Sequence, residues 1–525
     1  MIPARVGVGA TAASIALTLT VAVLGPSLME PPLPGRPGQP PWAFAAHPSP
    51  YLVVALTVAA IIAGTFGLAV TMHAARRGWS VSPRMILTAG LVAAVVLAFL
   101  PPFGSSDHLN YAAYGRMLVT GHNPYLTGPN VLARLGDPVA RAVEAPWQAS
   151  PSVYGVLATG GQALASLIGG TSVRLTVFVL SLLNLAGFAG TGLLLHRLAA
   201  GDKGRQLRAA LLWTCNPLLL QVLVAGAHVD SQGIVFAVAA VAAFALALRR
   251  AVAAGGTWRC APPAVAAGVL AGLGFAVKLS MILVVAGLAA ACLLARPARA
   301  AASAQGRAWF GGPMVALLAG LTAGFAAVTA SALAIGGLTS VRPAIQAGSY
   351  VSIGTPWRWV RSGIEIVTGE GTADGIVKIA AAVAVLALAW LFLRGLPGPE
   401  RLTEPAGTAG TQAASLAARG VLAFALAWLT AGSYVLPWYD GLAWALLPLL
   451  PWSMIDWLIL ARTATLAIGY LPARSIAMPT GLGWLRSVVR TGVTPAMLLL
   501  IAVVLVLGLR SRQPANRAVP APGSV

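Results

Sequence analysis

The run MILTAGLVAAVVLAFL, Met85–Leu100, carries no charge, and SSDHLNYAAYGR, Ser105–Arg116, follows four residues after it. The first stretch reads as a membrane helix. The second sets a carboxylate, a histidine, two tyrosines and an arginine at the mouth of that helix. This apolar–polar boundary decides how the rest of the chain is read.

The same composition extends outward. The chain has 525 residues, of which 58% are hydrophobic and only 9% charged, and its mean hydropathy is +0.82. A water-soluble fold of that size needs far more polar surface, so the fold class is an all-α polytopic membrane protein. Runs long enough to span begin near Val6, Tyr51, Met85, Arg174, Ala209, Gly233, Pro262, Met281, Pro313, Ile376, Val421, Leu442 and Val493. These predict a bundle of about 13 transmembrane helices. The first run, from Val6 to Leu24, reads as a retained span rather than a cleaved leader. Cys215, Cys260 and Cys292 lie in or beside apolar runs and suggest neither a disulfide framework nor a metal cluster.

The net charge of +21 comes from basic residues scattered through short loops, which fits lipid headgroups and topology rather than nucleic acid. Strict alternation of spans puts most basic loops, including Arg197–Arg208, Arg249–Arg259, Arg296–Arg307, Arg394–Arg419 and Arg462–Arg490, on the cytoplasmic side. The amino terminus is then inside and the carboxyl terminus outside. Residues 103–172 become a large external loop whose most apolar part, 156–168, reads as a juxtamembrane helix. Residues 339–375 form a second external loop, and Pro31–Pro41 an external linker. Residues 395–419, opening on a Gly/Pro/Thr-rich stretch, read as a cytoplasmic flexible connector.

Only 13 acids are present, so each can be weighed. Asp107, Asp230 and Asp440 fall at outer helix ends, where a carboxylate is unfavourable unless it is paired or used. A cap from Ser105 or Ser106 would start a helix there and put Asp107 in its first turn, with Tyr111 and Tyr114 on the same face. A helix-dipole role for Asp107, with the tyrosines as an interfacial belt, accounts for the same pattern. His228 and Asp230 at one external turn suit a hydrogen-bonded pair lining a polar cavity, and two ligands do not make a metal site. Lys278 reads either as a snorkelling lysine or as a cation for a phosphate. Leu436-Pro437-Trp438-Tyr439-Asp440 suits stacking on a sugar, or an interfacial anchor.

With these residues in view, the sequence resembles the GT-C glycosyltransferases, and within them the polyprenyl-phosphomannose-dependent α-(1→6)-mannosyltransferase family that elongates lipomannan. The resemblance rests on Ser106-Asp107, Tyr111, Tyr114-Gly115-Arg116, Gly121, Asn123-Pro124-Tyr125 and Gly128-Pro129. It continues through Pro151-Ser152-Val153-Tyr154-Gly155, Asn216-Pro217, Gly226-Ala227-His228-Val229-Asp230, Lys278 and Pro437-Trp438-Tyr439. The chain departs from the family at Val156, where Pro is usual, and at Val229, where Asn is frequent.

What the resemblance implies is a GT-C-type bundle acting at the outer face of the plasma membrane. It would transfer mannose from a polyprenyl-phosphate donor, with inversion, to a lipid-linked mannan acceptor. Asp107 would be the catalytic base, and Lys278, Arg116 and Arg358 would hold the donor phosphate. His108, Tyr111, Tyr114, Asn123, Tyr125, Tyr154, His228, Asp230, Trp438, Tyr439 and Asp440 would meet the sugars. No cofactor and no metal are implied. One tension is built in: a helix N-terminus lowers the pKa of Asp107, whereas burial raises it. A protein O-mannosyltransferase, or an enzyme using another prenyl-linked sugar, is the nearest alternative. A flippase of prenyl-linked sugars is the rival from another class and predicts mid-depth charges and inverted repeats, neither of which the sequence displays clearly.

Overall fold

The computed structural model describes residues 2–253, 258–295, 305–348, 350–398, 409–474, 476 and 478–510. Nine helices among them are long and apolar enough to cross a membrane, and four shorter apolar helices accompany them. The architecture is that of an all-α polytopic membrane protein. The non-helical pairing that matters is an isolated antiparallel bridge between Tyr154 and Lys278.

The first three legs are α1 (Ile2–Leu24), α2 (Pro50–Arg76) and α3 (Pro83–Ala98), and α3 delivers the chain to the face that carries Asp107. On that face lie α4 (Asp107–Val119) and α5 (Val156–Gly169). Both ends of α5 stay there: Gly155 bonds to Val277 next to Lys278, and Ser172, just beyond its other end, bonds to Gln39. A Cβ on Gly115 would stand 2.0 Å from the Gln162 carbonyl oxygen, so α4 lies directly on α5 only because that position has no side chain.

The next legs are α6 (Val173–Leu198), the run Lys203–Ala225 with wide π-helical turns on either side of Asn216-Pro217, α8 (Asp230–Ala253), α9 (Ala261–Val277), α10 (Ile282–Leu294) and α11 (Gln305–Gly336); the start of the Lys203–Ala225 run is α7 (Lys203–Ala209). Residues 254–257 and 296–304, parts of two predicted basic loops, lie outside the described residues. The second long connection on the Asp107 face holds α12 (Arg342–Ala347) and α13 (Trp357–Thr368). α14 (Glu370–Gly395) leaves that face and α15 (Ala409–Ala431) returns to it. The predicted connector is therefore shorter than expected: residues 409–419 are the first turns of α15, and 399–408 lie outside the described residues. Helices in lipid pack by close approach rather than by the hydrophobic effect. Accordingly, a Cβ at Gly287 of α10 would meet the Val421 Cα of α15 at 2.3 Å.

One correction changes the topology. The apolar run from Leu442, read as a single span, is two short legs. The chain descends through Pro437–Asp440, α16 (Gly441–Leu446) and Leu447–Leu449 to the far face, where the Leu447 carbonyl accepts from Arg208 at the α7 end. It then climbs back through α17 (Met454–Gly469). Ser453 and Asp456 make a reciprocal capping box that starts α17, and Pro448 and Pro451 break the run before it. This extra leg puts Arg474, Arg486 and Arg490 on the Asp107 face, not the opposite one. It also reverses α18 (Thr494–Arg510), whose Gly508 and Leu509 pack beside Met454 and Gly395 at the far face.

The bundle buries charge pairs that the sequence did not display. Arg462 of α17 pairs with Asp440, whose carboxylate also accepts from Thr463 at 2.7 Å. Arg208 pairs with Asp456 at 2.6 Å. Each charge is buried against an opposite one, which ties the α16–α17 hairpin into the bundle.

Candidate active site

Asp107 is the first residue of α4, and its backbone N–H donates to Ser105 Oγ at 3.1 Å. Its side chain stands where two cavities meet. One, about 570 Å³, is lined by polar and basic groups including Arg358, Arg486 and Arg490. The other, about 390 Å³, is more apolar and runs past Lys278 between Ile282 of α10 and Pro343 of α12. Trp147, Tyr350, Tyr434 and Tyr470 border both.

Burial pushes the Asp107 carboxyl up to about 6, against the Lys278 charge and hydrogen bonding from Ser105, while Asp230 adds to the rise. Of the two opposed effects at this helix start, burial wins. Asp107 is left as a carboxylate basic enough to take a proton near neutral pH.

The tertiary structure pairs the expected residues differently from the sequence reading. Lys278 is not a free cation: its Nζ donates to both Asp230 oxygens, at 2.7 and 2.9 Å, and lies 4.1 Å from the Tyr439 ring centroid. The bridge with Tyr154 holds it in place, and a Cβ on Gly155 would stand 2.2 Å from the Ala276 carbonyl oxygen in the approaching backbone. His228 does not pair with Asp230. Its Nε2 faces Asp107 Oδ2 at 3.8 Å, and its ring stacks on Trp438 with centroids 3.6 Å apart.

Tyr154 donates its hydroxyl to Tyr111 at 3.3 Å, and Tyr114 donates to the Ser150 carbonyl at 3.0 Å. Asp107, Tyr114, Tyr154, Lys278, Trp438 and Tyr439 all line the apolar cavity, so residues from four separate segments converge. Four expected residues do other work. Arg116 is held by Asp137 at 2.7 Å and lines neither cavity, because Asp137 caps the short helix Pro138–Arg141 and draws the guanidinium with it. Asp440 points into the bundle toward Arg462. Asn123 caps the Tyr125 backbone at 2.9 Å, and the Tyr125 hydroxyl donates to Thr159 at 2.9 Å, so both shape the loop. His108 is fully buried beside Asp107 in the chain, with both ring nitrogens unpartnered.

Of the arginines of the polar cavity, the sequence reading named Arg358 and missed Arg361, Arg474, Arg486 and Arg490. Arg361 is neutralised by Glu365, Glu370 and Asp374, and Arg474 by Glu144. Arg358, Arg486 and Arg490 make no ion pair among the described residues. Arg490 lies 5.0 Å from the Tyr470 ring centroid. The signal that could have found this group was Ser453-Met-Ile-Asp456 after Pro451, a helix start in the middle of an apparent span. Among the described residues no three His, Cys, Asp or Glu side chains gather as a metal site.

Residues 6–296, which contain Asp107, His228, Asp230 and Lys278, match the model of the alpha-(1->6)-mannopyranosyltransferase N-terminal domain. The chain belongs to this family. A probable alpha-(1->6)-mannopyranosyltransferase of Mycolicibacterium smegmatis is 33% identical over 138 residues, 26% of this chain and 24% of that protein. Alpha-(1->6)-mannopyranosyltransferase B of Corynebacterium glutamicum is 30% identical over 130 residues, 25% of this chain and 22% of the relative. Alpha-(1->6)-mannopyranosyltransferase A of the same organism is 28% identical over 137 residues, 26% of this chain and 27% of the relative. The alignments thus span about a quarter of the curated mannopyranosyltransferases they match. No solved structure matches. Trp438, Tyr439 and the three unpaired arginines fall outside the matched family domain, so their place at the site rests on the fold alone.

Proposed function

We propose that this member of the mannopyranosyltransferase family is an inverting glycosyltransferase of GT-C type. It takes mannose from a polyprenyl-phosphate donor and adds it in α-(1→6) linkage to a mannan acceptor at the extracytoplasmic face of the plasma membrane. The observation that carries the reading is the position of Asp107 at the junction of an apolar and a basic cavity.

The donor lies in the apolar cavity, its prenyl tail running out between α10 and α12 and its phosphate near Lys278. Arg358, across the junction, is the second proposed ligand of that phosphate, and Arg486 and Arg490 extend its field. The acceptor enters by the polar cavity. Its hydroxyl oxygen bonds to C1 as its proton passes to Asp107, and the C1–O bond to the phosphate breaks, with the electron pair leaving on the phosphate. A phosphate leaves without protonation, so one carboxylate suffices where a glycosidase needs two. Each preorganised cation facing the developing phosphate charge is worth roughly 3 kcal/mol of barrier. Tyr114, Tyr154, Trp438 and Tyr439 give the sugars faces and hydroxyls to meet.

Membranes carrying Asp107→Asn, supplied with labelled polyprenyl-phosphate mannose and an oligomannoside, test the reading. The expected result is loss of transfer by about a thousandfold or more, with unchanged expression and melting temperature. Transfer within a fewfold of the parent would remove Asp107 from the role.

A further inference from the structure

His228 is held more firmly than a residue that merely lines a cavity requires. Ala227 before it sits in the left-handed region at φ 50, a strained conformation for a residue with a side chain, and its carbonyl accepts from Asn184 at 2.6 Å. That turn folds the imidazole back so that Nδ1 lies 2.5 Å from the Val222 carbonyl. A carbonyl only accepts, so Nδ1 carries the hydrogen and Nε2 presents a lone pair. Trp438 fixes the ring plane by stacking at 16°. Nε2 is buried without a partner and is aimed at Asp107 Oδ2 across 3.8 Å. A carboxylate and a bare ring nitrogen facing each other are two acceptors, and the gap between them is satisfied only when a proton enters it.

From this geometry we infer that His228 is a positioning residue for Asp107, holding through Nε2 the proton that Asp107 takes up. The proton moves from the acceptor hydroxyl to the Asp107 carboxylate and is then shared as O–H···N with His228. The ring is not itself the base: burial keeps the imidazole neutral, down to about 3, with Lys278 and His108 adding to that effect. The other groups bearing on Asp107 are Lys278, which favours its ionised form, and Asp230, which opposes it, together with Ser105 and Tyr111. The Tyr114, Tyr154, Tyr434, Tyr439 and Tyr470 hydroxyls bear on it as well, and the polar cavity adds Arg358, Arg486 and Arg490 with the ion-paired Arg361, Asp374 and Arg474. None of these offers a neutral nitrogen lone pair; among the described residues the ring nitrogen aimed at the Asp107 carboxylate is that of His228.

The role rests on the proposed transfer, but its test does not require transfer. Hydrophobic carbodiimides react with protonated carboxyls, so labelling of Asp107 against pH, read by peptide mass spectrometry, follows its protonation directly. The parent should label half-maximally near pH 6. His228→Phe keeps the stack on Trp438 and removes the lone pair. It should move the midpoint about one pH unit lower, which is about tenfold less labelling at pH 7, and the acid limb of transfer should move with it. His228→Gln, whose amide oxygen can reach Asp107, should restore both. If His228→Phe does not fold, His228→Asn, which keeps a donor to Val222 but stops short of Asp107, replaces it with the same expectation. An unchanged midpoint in either variant overturns the role. A shifted midpoint in protein that transfers no mannose supports it and overturns the functional reading instead.

Discussion

Lys278 grips Asp230 through both carboxylate oxygens, and this pair, not a lone cation, is what stands beside Asp107. Their side chains are 12% and 5% exposed, so each charge depends on the other. Lys278→Met or Asp230→Asn alone should each destabilise the protein by about 3–5 kcal/mol, because one partner is left buried and uncompensated. The double variant should recover most of the lost melting temperature in detergent. If the double variant is no more stable than either single one, the pair is not the unit described here.

Transfer should depend on pH through Asp107. The group works as a base only when ionised, and burial raises its pKa to about 6. Activity should therefore hold above that value and fall about tenfold per pH unit below it. The Lys278 charge favours the ionised form, so Lys278→Met should move the acid limb upward. A profile flat from pH 7 to pH 4.5 would contradict the assignment.

Arg358, Arg486 and Arg490 should act on substrate rather than on the fold. Replacing Arg486 or Arg490 by Gln should raise the KM for a phosphate-bearing substrate about tenfold, an effect that added salt should blunt. Arg116→Ala should behave in the opposite way. It breaks the bond to Asp137 and should lower the melting temperature while leaving KM unchanged.

Glu30 lies just beyond α1 and is buried, and burial pushes its carboxyl up to about 9 against the Arg474 charge. Its folded-state pKa is raised, so the stability it contributes is complete below the unfolded value of about 4.3 and is lost as pH rises through about 9. Glu30→Gln should match the parent near pH 4 and gain on it progressively as pH rises toward 9. Equal melting temperatures for the two proteins at pH 9.5 would refute this.

The extra α17 leg is open to a labelling test. Single cysteines at Leu126, which is 61% exposed, and at Ser487, which is exposed, should react with a membrane-impermeant maleimide from one side. A cysteine at the exposed Ala200 should react only from the other side. Labelling of the 487 position together with 200 would restore the single-span reading of the Leu442 run.

By itself the sequence determined the class of fold and its chemistry-bearing segments. Apolar runs in lipid have no option but helix, because each backbone hydrogen bond must close within the segment. A scarcity of acids made Asp107, Asp230 and Asp440 stand out, and motif resemblance pointed to Asp107. Only the tertiary structure decided which partner each charge has. Opposite charges pair by distance in space, and residues such as Lys278 and Asp230, or Arg462 and Asp440, are brought together by helices that hydropathy cannot order. It also decided the side on which Arg474, Arg486 and Arg490 emerge. That turned on whether one apolar run bends back on itself, and hydropathy sums over a run while the bend depends on two prolines and one capping box.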